Sequence, residues 1–141
     1  MKKYTLIEHT ADIGIRVKAK NLKELFKNTA LAMFEIMAEK KPNTENRTPR
    51  TENVIIKQKA DNLEELLVNW LNELLSLSAT KELIFFKFKI NKLDKNNLEA
   101  EVSGYEIKNY KVNTEIKAAT YHQLKLEKNP SGWSAEVIFD V

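Results

Sequence analysis

The amino-acid sequence predicts an α+β domain, built in two layers, with two amphipathic helices packed on a largely antiparallel sheet. Two observations support this prediction. In the first half of the chain, two stretches repeat apolar residues at spacings of three and four, and each follows an Asn-x-x-Glu pair. The second half consists of segments rich in β-branched and aromatic residues, separated by short runs of turn-forming residues.

Length and composition indicate one folded domain over residues 1–141. The chain is 43% hydrophobic and 30% charged, which excludes both a disordered chain and a membrane-embedded one. It contains no cysteine, which excludes disulfides, thiolate nucleophiles and Cys-based zinc or iron–sulfur sites. The sequence has no apolar signal segment and no run of 18 apolar residues, so we expect a cytoplasmic protein without membrane contact.

The first half of the chain predicts strands and capped helices in alternation. Strands are expected from Tyr4 to Glu8 and from Ile13 to Lys18, and Asn21 with Glu24 predicts the start of a helix. We expect Pro42 and the polar run 39–50 to end that helix and form a solvated loop.

The same plan then repeats. A strand is expected over residues 54–59, and Asn62 with Glu65 predicts a second helix that ends near Ser78. When residues 13–38 are shifted by 41 positions they match at eight of 26 positions, which suggests a duplicated strand–helix unit. The composition common to amphipathic helices explains much of this match as well.

The second half of the chain predicts hairpins. Strands are expected over residues 83–90 and 98–102, with the turn at residues 94–97 between them. A second hairpin is expected from residues 120–126 and 133–140, whose last strand places Trp133, Ala135, Val137 and Phe139 on one face. Residues 104–117 are compatible with a loop or a short element.

No local motif identifies a nucleotide-binding or acyl-transfer enzyme, since GxGxxG, GxxxxGK[ST] and GxSxG are all missing. The two histidines, His9 and His122, each stand beside a predicted strand. A histidine there serves as a base or, more commonly, has a structural role.

Polar residues at the two ends of the chain form candidate sites. The segment Glu8 to Gly14 includes Asp12, which either caps a tight turn or binds a cation. Asp140 and Val141 end the last predicted strand, so a side-chain carboxylate and the terminal carboxylate lie close together. Either both face water, or a hard cation such as Ca²⁺ or Mg²⁺ offsets their repulsion.

A third candidate lies at the start of the predicted strand 120–126. Lys117, Thr120 and His122 cluster there. A lysine near carboxylates neutralises them or binds a phosphate-bearing partner, and the alternative is a solvated lysine beside ordinary strand residues.

Over residues 4–141 the chain resembles the archease family. The resemblance rests on four motifs in the family's order, namely His9 to Gly14, Leu66 to Leu75, Ile116 to His122, and Val137 to Val141. One position departs from the family pattern, because no histidine follows Gly104-Tyr105-Glu106 between residues 107 and 115. Its role is then lost in this chain or taken by Tyr110.

The resemblance implies an accessory protein and not an enzyme. Members of this family assist the RtcB-type tRNA-splicing ligase by promoting guanylylation of its histidine, which restores multiple turnover. The resemblance also implies a bound divalent cation, reported as calcium, with ligands at Asp12, Asp140 and Val141. It favours a functional role for Lys117, and it leaves His9 and His122 as candidate partner contacts.

Two other classes of function remain open from the sequence. One is a metal-dependent phosphoryl-transfer enzyme that acts alone, against which the missing nucleotide motif counts. The other is an RNA-binding or chaperone-like module. A net charge of +3, with lysines interleaved with glutamates, argues against sequence-specific nucleic-acid binding.

Overall fold

A computed structural model describes residues 4–8, 12–42 and 51–141 of the chain. Two α-helices occur in this part, α1 (Leu22–Met37) and α2 (Leu63–Lys81). The strands are β1 (Tyr4–Glu8), β2 (Asp12–Ala19), β3 (Ala38–Lys40), β4 (Thr51–Lys59), β5 (Leu83–Leu93), β6 (Asn97–Glu106), β7 (Tyr110–Val112), β8 (Ala118–Asn129) and β9 (Gly132–Asp140).

Both helices begin where the sequence predicts. The side-chain oxygen of Asn21 accepts a hydrogen bond from the Glu24 backbone N–H at 2.9 Å, and Asn62 accepts one from Glu65 at 2.8 Å. Each bond satisfies a backbone donor that has no partner within the helix, so the cap stabilises the first turn. Helix α2 continues beyond the predicted end near Ser78 to Lys81, and Glu82 then takes a left-handed conformation with φ 55°.

The strands form three antiparallel sheets. One has the order β1-β2-β9-β8, a second has the order β4-β6-β5, and β3 pairs with β7. Both helices contact strands of both larger sheets. The predicted α+β class, with two helices and mostly antiparallel strands, is therefore confirmed.

The polar segment after α1 differs from the prediction. The helix ends at Met37, before Pro42, and Ala38–Lys40 form strand β3 where a loop was expected. Its partner β7 comes from the region 104–117, which the sequence left open between loop and short element. The buried Ala38 explains this pairing, since a backbone next to the core needs hydrogen-bond partners. Residues 43–50 of the expected loop lie outside the described ranges.

The core lies between the helices and the inner faces of the two larger sheets. Trp70 of α2 is fully buried and donates its indole N–H to the Phe26 carbonyl of α1 at 3.0 Å, which ties the helices together. The predicted inner face of the last strand is confirmed, because Ala135, Val137 and Phe139 are buried. Neither helix in the described part of the chain is long and apolar enough to cross a bilayer.

Candidate functional site

The two ends of the chain meet in the four-stranded sheet, where Asp12 lies directly opposite Asp140. Strands β2 and β9 pair antiparallel, and their register is set by buried apolar pairs such as Ile15 with Val137. Because side chains alternate along a strand, the two aspartates lie on the sheet face away from these core residues. Side chains directly opposite each other have Cβ atoms about 4.5–5.5 Å apart. The structure therefore brings together two of the three predicted metal ligands.

The third predicted ligand follows immediately. Val141 is the residue after Asp140 and is 41% exposed, so its terminal carboxylate lies one residue beyond the aspartate pair. Within the described ranges, neither aspartate forms an ion pair with a lysine or arginine. Adjacent carboxylates repel each other unless a cation lies between them.

The donor set fits a hard cation. Carboxylate oxygens are the ligands that Ca²⁺ and Mg²⁺ prefer, and bound water commonly completes their coordination. The described residues contain no group of three or more His, Cys, Asp or Glu side chains able to hold a metal. Two side-chain carboxylates and the chain terminus are thus the donors that this part of the chain offers. His9, with Thr10 and Ala11, lies outside the described residues.

Gly14 explains why the strands approach closely beside the aspartate pair. It lies opposite Ile7 of β1, and a Cβ atom at this position would be only 3.0 Å from the Ile7 Cβ. The Ile7 side chain therefore occupies the space that a larger residue at position 14 would fill. Ile138, which pairs with Gly14 on its other side, is buried although it lies on the face away from the helices.

Lys117 joins this site through its backbone. Its N–H donates to the Asp140 carbonyl at 2.8 Å, and the next residue, Ala118, pairs with Asp140. The Lys117 side chain is exposed. The predicted association of Lys117 with the C-terminal residues thus has a structural basis in strand pairing.

Asn72 holds the start of β8 from the opposite side. Its amide nitrogen donates to the Ala119 carbonyl at 3.1 Å, and its oxygen accepts from the Ala119 N–H at 2.7 Å. Strand β8 is an edge of its sheet, so the side chain takes the place of a neighbouring strand. The sequence analysis gave Asn72 no role. The available signal was a polar residue among the leucines of the motif from Leu66 to Leu75.

The predicted strand 120–126 contains a large bulge. Thr120 pairs with Ile138 and Lys125 with Glu136, so four residues of β8 lie opposite the single residue Val137. Gln123 in this bulge has φ 50°. His122 is exposed there, and its backbone N–H donates to the Thr120 hydroxyl at 3.3 Å. The expectation of a regular strand was wrong at these residues, because the extra residues leave the ladder.

Further along the same outer face, Glu136 binds two cationic side chains. It accepts from Arg16 at 2.9 Å and lies 3.4 Å from the Lys125 ammonium. The hydrogen bond from Arg16, together with Lys125, lowers the pKa of the Glu136 carboxyl. These charges are paired with each other, so in the described part of the sheet they do not neutralise Asp12 or Asp140.

Tyr110, the candidate substitute for the missing histidine, lies in a different sheet. It is in β7 and pairs with Lys40. Burial, and to a lesser degree Tyr105, raise the pKa of its hydroxyl, which therefore stays protonated at neutral pH.

Comparison with known proteins agrees with the resemblance. The family model that matches residues 4–141 is that of the archease protein family (MTH1598/TM1083). The chain is 40% identical to the archease of Methanosarcina mazei, over 99% of this chain and 97% of that protein. It is 35% identical to the archease of Pyrococcus abyssi, over the full length of both.

Two solved structures share the fold. The solution structure of protein 1598 from Methanobacterium thermoautotrophicum matches over all of both chains with a TM-score of 0.70 and 31% identity. A Thermotoga maritima crystal structure, described as an archease and possible chaperone, matches 96% of this chain and 94% of its own, with a TM-score of 0.64 and 25% identity. With a family match from residue 4 to the C-terminus and full-length relatives at this level of identity, the chain belongs to the archease family.

Proposed function

We propose that this protein is an accessory factor that activates an RtcB-type tRNA-splicing ligase and that it acts with a divalent cation bound at Asp12, Asp140 and Val141. Membership of the archease family supports an accessory role, and the Thermotoga maritima relative is described as a possible chaperone. The observation that carries the proposal is the pairing of Asp12 with Asp140 next to the chain terminus.

The chemistry of the ligase explains what such a site would contribute. Guanylylation transfers a nucleotide to a histidine of the ligase, and negative charge on the transferred phosphate must be stabilised by cations. The aspartate pair lies at one end of its strands and Asp140 is exposed, so a cation held there would be accessible to a partner. When bound, the cation would supply positive charge to the nucleotide phosphates or orient them.

Lys117 would act beside the cation. Its backbone is fixed to the Asp140 carbonyl, and its exposed ammonium is a strongly hydrated point charge on a flexible stem. We assign it the role of contacting a nucleotide phosphate or an acidic group of the ligase. Such a contact requires the start of β8 to stay in register with β9.

Ligation of broken tRNA by limiting ligase tests the proposal. With a divalent cation present, the wild-type protein should convert single turnover into multiple turnover. Asp12→Asn should reduce the number of turnovers at least about tenfold, because loss of one ligand charge weakens the cation site. The matched control is Asp61→Asn, which makes the same charge change at an exposed residue just before α2.

The outcomes separate the proposal from its alternatives. Full activation by Asp12→Asn would remove the aspartate pair from the function, and no activation by the wild-type protein would overturn the proposal. Phosphoryl transfer without any ligase would indicate an enzyme that acts alone. Salt-sensitive RNA binding without ligase activation would indicate an RNA-binding module.

A further inference from the structure

The bulge in β8 places an aromatic side chain at the edge of the sheet. Between Thr120 and Lys125 the strand carries three residues more than its partner β9. Bulges of this kind are concentrated at sheet edges and next to functional sites, where they redirect a side chain. Here the first residue of the excess segment is Tyr121.

Tyr121 is 57% exposed. Burial and the nearby Glu65 carboxylate of α2 raise the pKa of its hydroxyl, so the group remains a hydrogen-bond donor at neutral pH. Gln123, two residues on, has a positive φ of 50°, which is unfavourable for a residue with a side chain. The segment thus has both a strained backbone and an exposed aromatic residue, a combination that folding alone does not require.

The base of the bulge is held firmly. Ala119, two residues before Tyr121, is bound on its outer side by both polar atoms of the Asn72 amide. The Thr120 hydroxyl donates to the Ile138 carbonyl at 2.8 Å and accepts from the His122 N–H at 3.3 Å. The residues on both sides of Tyr121 are therefore fixed before any partner binds, which reduces the entropy lost on binding.

Tyr121 also lies close to the aspartate pair. It is three residues from Ala118, which pairs with Asp140, so its backbone is about 10 Å along the strand from that pairing. A partner whose active site reaches Asp140 and the terminal carboxylate would cover the bulge as well. Tyrosine is among the residues that contribute most to binding at protein interfaces, since it adds a large rigid contact area and a hydroxyl donor.

We propose that Tyr121 is the anchor residue of this protein's docking surface, and that it enters an apolar cleft on the partner enzyme that ends in an acceptor for its hydroxyl. The inference rests on the proposed function and adds the residue that supplies affinity. Asp12, Asp140 and Lys117 act on the chemistry in that account, whereas Tyr121 holds the two proteins together. The two roles predict different changes in an activation curve.

The experiment titrates a limiting ligase with the accessory protein and measures multiple turnover. Tyr121→Ala should raise the half-maximal concentration at least about tenfold and leave the maximal activation unchanged. Tyr121→Phe, which keeps the ring, should fall between this variant and the wild type. The control is Ile55→Ala, which removes an apolar side chain that is 70% exposed on β4 of another sheet. Thermal melting of each variant confirms folding.

Each other outcome overturns the inference and spares the proposed function. A half-maximal concentration for Tyr121→Ala equal to that of Ile55→Ala means that the tyrosine is not an anchor. A lowered maximum at an unchanged half-maximal concentration means that it acts on the chemistry. Loss of RNA binding by the isolated protein, with ligase affinity intact, assigns the tyrosine to a nucleic acid. A wild-type protein that fails to activate any ligase refutes the proposed function itself, and the inference with it.

Discussion

Asn72 in the middle of α2 binds both polar groups of the Ala119 backbone, one at 3.1 Å and the other at 2.7 Å. Ala119 lies one residue from Ala118, which pairs with Asp140, and two from Lys117. A helix side chain therefore closes the edge of the strand that supports the candidate site. Removing it would leave a backbone donor and an acceptor without partners in a partly buried position.

Asn72→Ala should lower the free energy of unfolding by about 2 kcal/mol, because two hydrogen bonds are lost and their partners stay partly buried. Urea denaturation measures this loss, and hydrogen exchange should show a faster-exchanging Ala119 amide. Asn96→Ala is the matched control, since the Asn96 amide donates to the Ala60 and Asp61 carbonyls at 2.9 and 3.1 Å, away from β8. Equal exchange at Ala119 in both variants would contradict the assigned role.

Gly132 begins β9 in a conformation that excludes other residues. Its φ is 141°, and a Cβ atom there would lie 2.2 Å from the Ala19 carbonyl oxygen. Gly132→Ala should destabilise the protein by more than about 1 kcal/mol, because both the backbone conformation and this contact must change. Thermal melting measures the effect.

Ser131→Ala, in the same turn, provides the comparison. It removes only the hydroxyl bond to the Asn129 side chain, at 2.8 Å, on the surface. A Gly132→Ala protein that melts at the same temperature as Ser131→Ala would show that the close approach to Ala19 does not constrain this hairpin.

The Glu136 ion pairs predict a pH dependence of stability. Its hydrogen bond from Arg16, with Lys125 beside it, lowers the pKa of the carboxyl. A lowered folded-state pKa means that the contribution is present above the unfolded pKa of about 4.3 and is lost as the pH falls through the folded value. Glu136→Gln should therefore cost about 0.5–1 kcal/mol at pH 7, and the difference from wild type should vanish in acid.

Urea denaturation at several pH values measures this difference. Glu127→Gln is the control, because Glu127 is an exposed residue on β8 with no ion pair in the described part of the chain. A loss for Glu136→Gln that is constant from neutral to acidic pH would contradict the account.

The elements that depend on nearby residues could be predicted from the sequence. Asn21 and Asn62 predicted both helix starts, because a capping residue and the N–H that it binds are three positions apart. The inner face of β9 followed in the same way from alternation along one strand.

Features that depend on distant pairing could not be predicted in this way. The partners of β3 and of Asn72 lie far along the chain, and neither leaves a local pattern. The bulge at Tyr121 is invisible in the sequence, since its residues have ordinary strand propensity and only the register with β9 reveals the excess. The proximity of Asp12 to Asp140 was expected from the family resemblance, and β2–β9 pairing supplies its physical cause.

Calcium titration of the isolated protein by calorimetry tests the central claim most directly. We expect one Ca²⁺ per chain and a higher melting temperature in its presence, because a ligand that binds only the folded state stabilises it. Asp12→Asn and Asp140→Asn should each weaken binding at least about tenfold, whereas Asp61→Asn should bind as the wild type does. A wild-type protein that binds neither Ca²⁺ nor Mg²⁺, or an Asp12→Asn variant with unchanged affinity, would contradict the claim.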